Sequence, residues 1–125
     1  HPWRRLKTAE SKRDVPLVGV TLWGLKRALE RSDGGLLFPR YCTPEGNKAN
    51  YASSALNKWL RSYVPDGCVV HSFRHSMRDR LRAVQCPSDI IDQIGGWQTA
   101  GVGQGYGKGH SLTIMHGWMK RFQGN

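Results

Sequence analysis

The chain has 125 residues, 19 Lys+Arg against 9 Asp+Glu and a formal net charge of +10, which suits one domain, or part of one, with a polyanionic partner such as nucleic acid. With 38% hydrophobic residues and five Trp it is too apolar for wholesale disorder and long enough to bury a core, yet no apolar run approaches the roughly 18 residues of a membrane span. Three widely spaced cysteines, Cys42, Cys68 and Cys86, argue against a disulfide framework and for a reducing, intracellular setting.

The start, His1-Pro2-Trp3-Arg4-Arg5, has neither an initiator Met nor an apolar signal core and reads as an excerpt from something longer. Residues 3–7 and 13–17 read as two short strands around the polar turn Thr8–Lys12, a hairpin over 3–17 in which Pro16 confines the second strand to an edge. A helical core is expected over 20–95. Its first helix, Thr21–Arg31, carries Leu22, Leu25, Ala28 and Leu29 at helical spacing and stops at Ser32-Asp33-Gly34-Gly35. The short apolar run Leu36–Pro39 leads into a loop rich in Pro, Gly and Asn up to residue 50. A second helix fits Asn50–Tyr63, with Leu56, Leu60 and Tyr63 on one stripe, and Pro65-Asp66-Gly67 makes a turn. A third helix runs from Ser72, read as its N-cap, to Val84. A fourth begins near Pro87-Ser88-Asp89, buries Ile90, Ile91 and Ile94, and ends at Gly95-Gly96. Seven of the fifteen glycines fall in 95–109, which predicts a mobile or very irregular loop. A last helix fits Ser111–Phe122, with a stripe of Leu112, Met115, Met119 and Phe122. There is no internal repeat. The fold expected is mainly α with a small antiparallel β-hairpin or sheet at one edge.

The third helix carries the chemistry. At 100° per residue, Phe73, Met77, Leu81 and Val84 form an apolar face, and His71, Arg74, His75, Arg78 and Arg82 gather opposite. Such a basic side is either an ordinary solvated face or an anion site. His71 and Arg74 are one turn apart at the helix start, where free backbone N–H groups and the positive end of the dipole favour an anion. Arg74 has a planar fork for two phosphate oxygens, and His71 offers an imidazole for moving a proton. The pair outlines a phosphodiester site.

His71-Ser72-Phe73-Arg74-His75 also resembles the His-x-x-Arg-His signature of the tyrosine recombinases, the phage-integrase family. Gly95-Gly96-Trp97 is similar to that family's Leu-Gly-His/Trp box, with Gly95 in place of Leu. Tyr106, within Gly105-Tyr106-Gly107-Lys108-Gly109, follows at the family's separation for its nucleophile. Leu6 to Leu17 resembles the family's β-hairpin, with Lys7 in the place of the catalytic lysine. The likeness covers nearly the whole chain. It departs from the family in one main respect: the first catalytic arginine, which precedes the hairpin, has no counterpart here. The resemblance therefore implies the C-terminal part of a recombinase catalytic domain, truncated at its N-terminus.

The resemblance implies a role for each residue. Tyr106 attacks a DNA phosphate, leaving a 3′-phosphotyrosyl link and a free 5′-hydroxyl. Arg74 neutralises the non-bridging oxygens, and His71 assists proton traffic or hydrogen-bonds the phosphate. Trp97 donates its indole N–H to a phosphate oxygen, packs as a core tryptophan, or does both. Lys7 protonates the departing 5′-oxygen. Arg78, Arg82, Lys108, Lys12 and Arg13 are expected to contact DNA. The family also implies duplex DNA as substrate, a homotetramer on that DNA and a cytoplasmic, nucleoid-associated bacterial setting, without metal or other cofactor and without a membrane. The last helix docks on a neighbouring protomer or packs on its own core. Two rival readings remain: a basic nucleic-acid-binding module without chemistry, and a zinc-dependent domain using Cys68, His71, His75 and Cys86.

Overall fold

A computed structural model of the chain describes residues 11–43, 45–97 and 109–123. The described residues form five α-helices and one two-stranded antiparallel sheet: α1 (Gly19–Glu30), β1 (Cys42–Thr43), β2 (Gly46–Asn47), α2 (Ala49–Leu60), α3 (Ser72–Ala83), α4 (Ser88–Gly95) and α5 (Leu112–Arg121). A 3-10 turn, Pro39–Tyr41, leads into β1.

The sheet is not where the sequence suggested. Residues 12–18 are neither helix nor strand, and residues 3–7 lie outside the described residues. The strands pair instead as Cys42↔Asn47 and Thr43↔Gly46, inside the stretch read as a loop. The 12–18 segment is used differently. Val18 is buried in the main cluster and Val15 packs against it. The Arg13 Nε donates to the Ile94 carbonyl at 2.9 Å. Pro16 has no N–H to give a ladder, so anchoring by side chains replaces pairing by backbone.

The core is built by α3, α4 and α5. Leu81, Cys86, Ile90, Ile91, Ile94, Met115 and Met119 are buried together with Val18, and Met77, Trp97, Trp118 and Phe122 pack on them. The isoleucine spacing of α4 puts all three on the inner face, and Ser111 starts α5 by accepting the Ile114 N–H. Met115 and Met119 thus bury α5 against its own chain, although Leu112 at the head of the same stripe stays exposed. Further bonds tie the elements together: Arg80 Nη2 donates to the Phe122 carbonyl at 3.0 Å, closing the open end of α5 onto α3.

The apolar face expected on α3 is only half used. Met77 and Leu81 meet the cluster, while Phe73, one turn nearer the N-terminus, is exposed. The helix docks by its later turns, and its first turn stands beyond the layer formed by α4 and α5. Likewise α1 buries no side chain, and of the stripe on the second helix only Leu60 is buried, outside the main cluster.

Candidate functional site

Three of the residues singled out by sequence come together where α3 passes the end of α4. Gly96 ends α4 in the left-handed conformation (φ +64°), and the N–H of Trp97 returns to the Asp92 carbonyl at 3.0 Å. This is the wrapped helix end that favours glycine. It turns the Trp97 ring back over Gly95, where a Cβ would overlap the ring. The missing Cβ of Gly95 is therefore what lets Trp97 lie there. On its other side the ring receives two cations from α3: Arg74 Cζ is 4.3 Å and Arg78 Cζ 4.9 Å from the ring centroid. Each such contact contributes about 0.5–2 kcal/mol, more as water is excluded.

Arg78 has a further partner. Its Nη2 lies 3.8 Å from the Asp92 Oδ1, and the Asp92 side chain is only 8% exposed. The Arg78 Nε is buried with no hydrogen-bond partner among the described residues. Arg78 thus braces α3 against α4 and the Trp97 ring. Arg74, half-buried one turn earlier, is the guanidinium of the pair with no carboxylate beside it among the described residues.

The start of α3 differs from expectation. His71 rather than Ser72 is the N-cap, and the Ser72 hydroxyl accepts the Val69 N–H at 3.1 Å. The N–H groups of Ser72, Phe73 and Arg74 are not free: they donate to the carbonyls of Val69, Val70 and His71 at 2.8, 3.2 and 3.0 Å. Residues 69–71 already turn helically ahead of α3, so the first backbone donors are spent. Anion recognition at this end falls to side chains. His71 is exposed, and its ring meets that of His75 edge-on at 5.3 Å between centroids.

The remaining candidates scatter. Arg82 is exposed and 3.9 Å from Asp79, a surface pair of little weight. Lys12 is exposed. Arg13 spends its Nε on Ile94, and its guanidinium covers Gly96. Tyr106, Lys108 and Lys7 lie outside the described residues, as does most of the glycine-rich stretch.

Comparison with protein-family models, curated proteins and solved structures gives no match for the chain. Among the described residues no three His, Cys, Asp or Glu side chains gather as a metal site. Cys68, His71, His75 and Cys86 are all described and do not form such a group; Cys86 lies in the core, where burial pushes its thiol up to about 11. No described helix is long and apolar enough to cross a membrane.

Three supporting residues escaped the sequence reading. Asp92 holds Arg78. Gln93 grips His110 twice: its Oε1 accepts the His110 N–H at 2.7 Å and its Nε2 donates to the His110 carbonyl at 2.9 Å. Asp89 meets the His110 Nε2 at 2.7 Å, and that bond holds the carboxyl below its ordinary value. Both Trp97, near the start of the glycine-rich stretch, and His110, just after it, are fastened to α4. No local pattern announces these bonds, since each joins residues on different elements.

Proposed function

We propose that the chain is the C-terminal part of a tyrosine-recombinase catalytic domain, cutting and rejoining duplex DNA through a transient 3′-phosphotyrosyl link. The observation that carries the reading is the meeting of Arg74 and Trp97 at 4.3 Å, which joins the two motifs resembling the family into one surface. Arg74 is always charged and grips non-bridging phosphate oxygens through its fork, and the Trp97 indole beneath fixes its direction while offering one N–H. His71 stands one turn away for proton transfer. Tyr106 attacks phosphorus, the P–O5′ bond breaks, and Lys7 gives the leaving oxygen its proton. Attack by a 5′-hydroxyl on the phosphotyrosine reverses the step. The roles of Tyr106 and Lys7 rest on the sequence resemblance. The working assembly of this reading is a tetramer on DNA in the bacterial cytoplasm.

The test is a nicked duplex substrate that traps the covalent adduct, resolved on a denaturing gel. Losing one charged stabiliser of such a transition state costs about a hundredfold to a thousandfold in rate. The 125-residue chain, with no counterpart of the family's first arginine, is expected to form the adduct very slowly. Tyr106→Phe abolishes the adduct and spares DNA binding. An adduct that survives Tyr106→Phe overturns the assignment. Salt-sensitive DNA binding without any adduct leaves the basic-module reading in its place.

A further inference from the structure

We propose that the outer face of α2 binds single-stranded DNA, with unpaired bases stacking on Tyr51, Trp59 and Tyr63 and the phosphates held by Lys48 and Lys58. This face is remote in role from the surface built on Arg74 and Trp97, and it uses none of its residues. The choice of DNA among polyanionic strands rests on the function proposed above.

The argument starts from exposure. Tyr51, Trp59 and Tyr63 are 73%, 60% and 69% exposed, although aromatic rings are the side chains that gain most from burial. At 100° per residue, Tyr51, Lys58 and Trp59 share one side of the helix, with Tyr63 continuing that side just past its end. The opposite side is committed to the fold. Leu60 is buried, and the Asn57 Oδ1 accepts the Val70 N–H at 2.8 Å, which seats α2 against the approach to α3. The aromatic face is thus held outward by a fixed inner face. The Trp59 and Tyr63 rings lie 4.8 Å apart but inclined by 41°, so they touch without closing flat on each other. Each keeps ring surface open.

Charge selects the occupant. No acidic residue occurs between Glu45 and Asp66, and the cations in that interval are Lys48, Lys58 and Arg61. Lys48, one turn before Tyr51 and so on its side, and Lys58 form no ion pair among the described residues. An aromatic face interleaved only with positive charge complements a polyanion that also offers flat apolar rings. Duplex DNA offers phosphates but hides its base faces in the stack. A single strand offers both, and stacking on aromatic side chains with basic neighbours is how such strands are held without sequence preference. From Tyr51 to Tyr63 the helix rise covers about 18 Å, room for about five nucleotides at about 3.4 Å each.

The experiment is fluorescence anisotropy of the chain with labelled oligo(dT) of about ten nucleotides, beside a duplex of equal length. Trp59→Ala and Tyr63→Ala are each expected to weaken oligo(dT) binding by about fivefold to a hundredfold while leaving duplex binding within about twofold. Trp59→Phe keeps most of the affinity, because it keeps a ring. Circular dichroism is expected to be unchanged in all three variants. Oligo(dT) affinity unaffected by both alanine substitutions overturns the proposal, and so does equal loss for oligo(dT) and duplex. Concentration-dependent self-association that Trp59→Ala abolishes, with oligo(dT) binding intact, also overturns it and gives the face to a second copy of the chain. Failure here is distinct from failure of the recombinase reading. Tyr106→Phe retains oligo(dT) binding whichever way the adduct assay falls.

Discussion

The two halves of the described structure use the same kind of sequence differently. In α3, α4 and α5, apolar residues at helical spacing close on one another: Leu81 and Ile94 are fully buried, and Met115 and Met119 complete the cluster with Ile90 and Ile91. In α1 and α2 the spacing is as regular, but α1 buries nothing and α2 buries only Leu60. Trp23 and Leu29 on α1 stand as open to solvent as Trp59 on α2. The difference lies in what surrounds the helices. The second half is crossed by side-chain ties between elements, Arg78 to Asp92, Arg80 to Phe122 and Gln93 to His110, and these fix the crossing that lets apolar faces meet. In the first half the Asn57–Val70 bond is the corresponding tie. Periodicity creates an apolar face, and tertiary bonds decide whether it is covered.

The strongest way to break this contrast is to delete the same side chain in each half. Leu81→Ala removes a fully buried side chain from between α3 and α4 and is expected to cost about 2–5 kcal/mol of unfolding free energy. Leu29→Ala on α1 removes an exposed one and should change stability by no more than about 0.5 kcal/mol. Urea denaturation followed by circular dichroism measures both. Equal losses would mean that α1 shares the core's cooperativity despite its exposure.

A smaller effect sharpens the picture at the end of α4. Gly96 sits at φ +64°, and a Cβ there would collide with the Arg13 guanidinium. Gly96→Ala carries the left-handed cost of about 1–2 kcal/mol and forces Arg13 away from the Ile94 carbonyl. Arg13→Ala in the Gly96→Ala background should then cost less than Arg13→Ala alone, because the shared contact is already lost. Additive losses in that double-mutant cycle would show that Arg13 and Gly96 contribute independently.

How far these features were readable from sequence follows the same division. The bounds of α3, α4 and α5 and the burial of Ile90, Ile91, Ile94, Met115 and Met119 follow from spacing, caps and glycine stops, which are local signals. Local too were His71, Arg74 and Trp97 as candidates. The exposure of Phe73 was not legible, because a stripe does not say how many of its turns have a neighbour. The strand expected over 13–17 does not form for a related reason: Pro16 has no N–H for a ladder, and Val15 and Val18 turn to the core. The sequence does not distinguish Arg78 from its basic neighbours, because Asp92 and Trp97 come to it from another element, and the i to i+3 bonds that spend the N–H groups of Ser72, Phe73 and Arg74 carry no sequence signature.

The least of the expected effects concerns acid. Asp89 and His110 join the first turn of α4 to the residue before the α5 cap, and the hydrogen bond from His110, ahead of all other causes, lowers the Asp89 carboxyl from its ordinary value of 3.8. A carboxyl lowered in the folded state binds its proton more weakly there than in the unfolded chain. Its contribution to stability is therefore full above the unfolded value and lost as pH falls through the lower folded value. The pair is largely open to solvent, so the loss is small, and it should appear below about pH 4 rather than near neutrality. Asp89→Asn removes the titrating group. Its melting temperature at pH 7 should drop slightly, and the fall between pH 4 and pH 2.5 should be shallower than in the unaltered chain by the part that Asp89 supplies. Identical slopes would mean that Gln93, through its two bonds to the His110 backbone, holds this junction without the carboxylate.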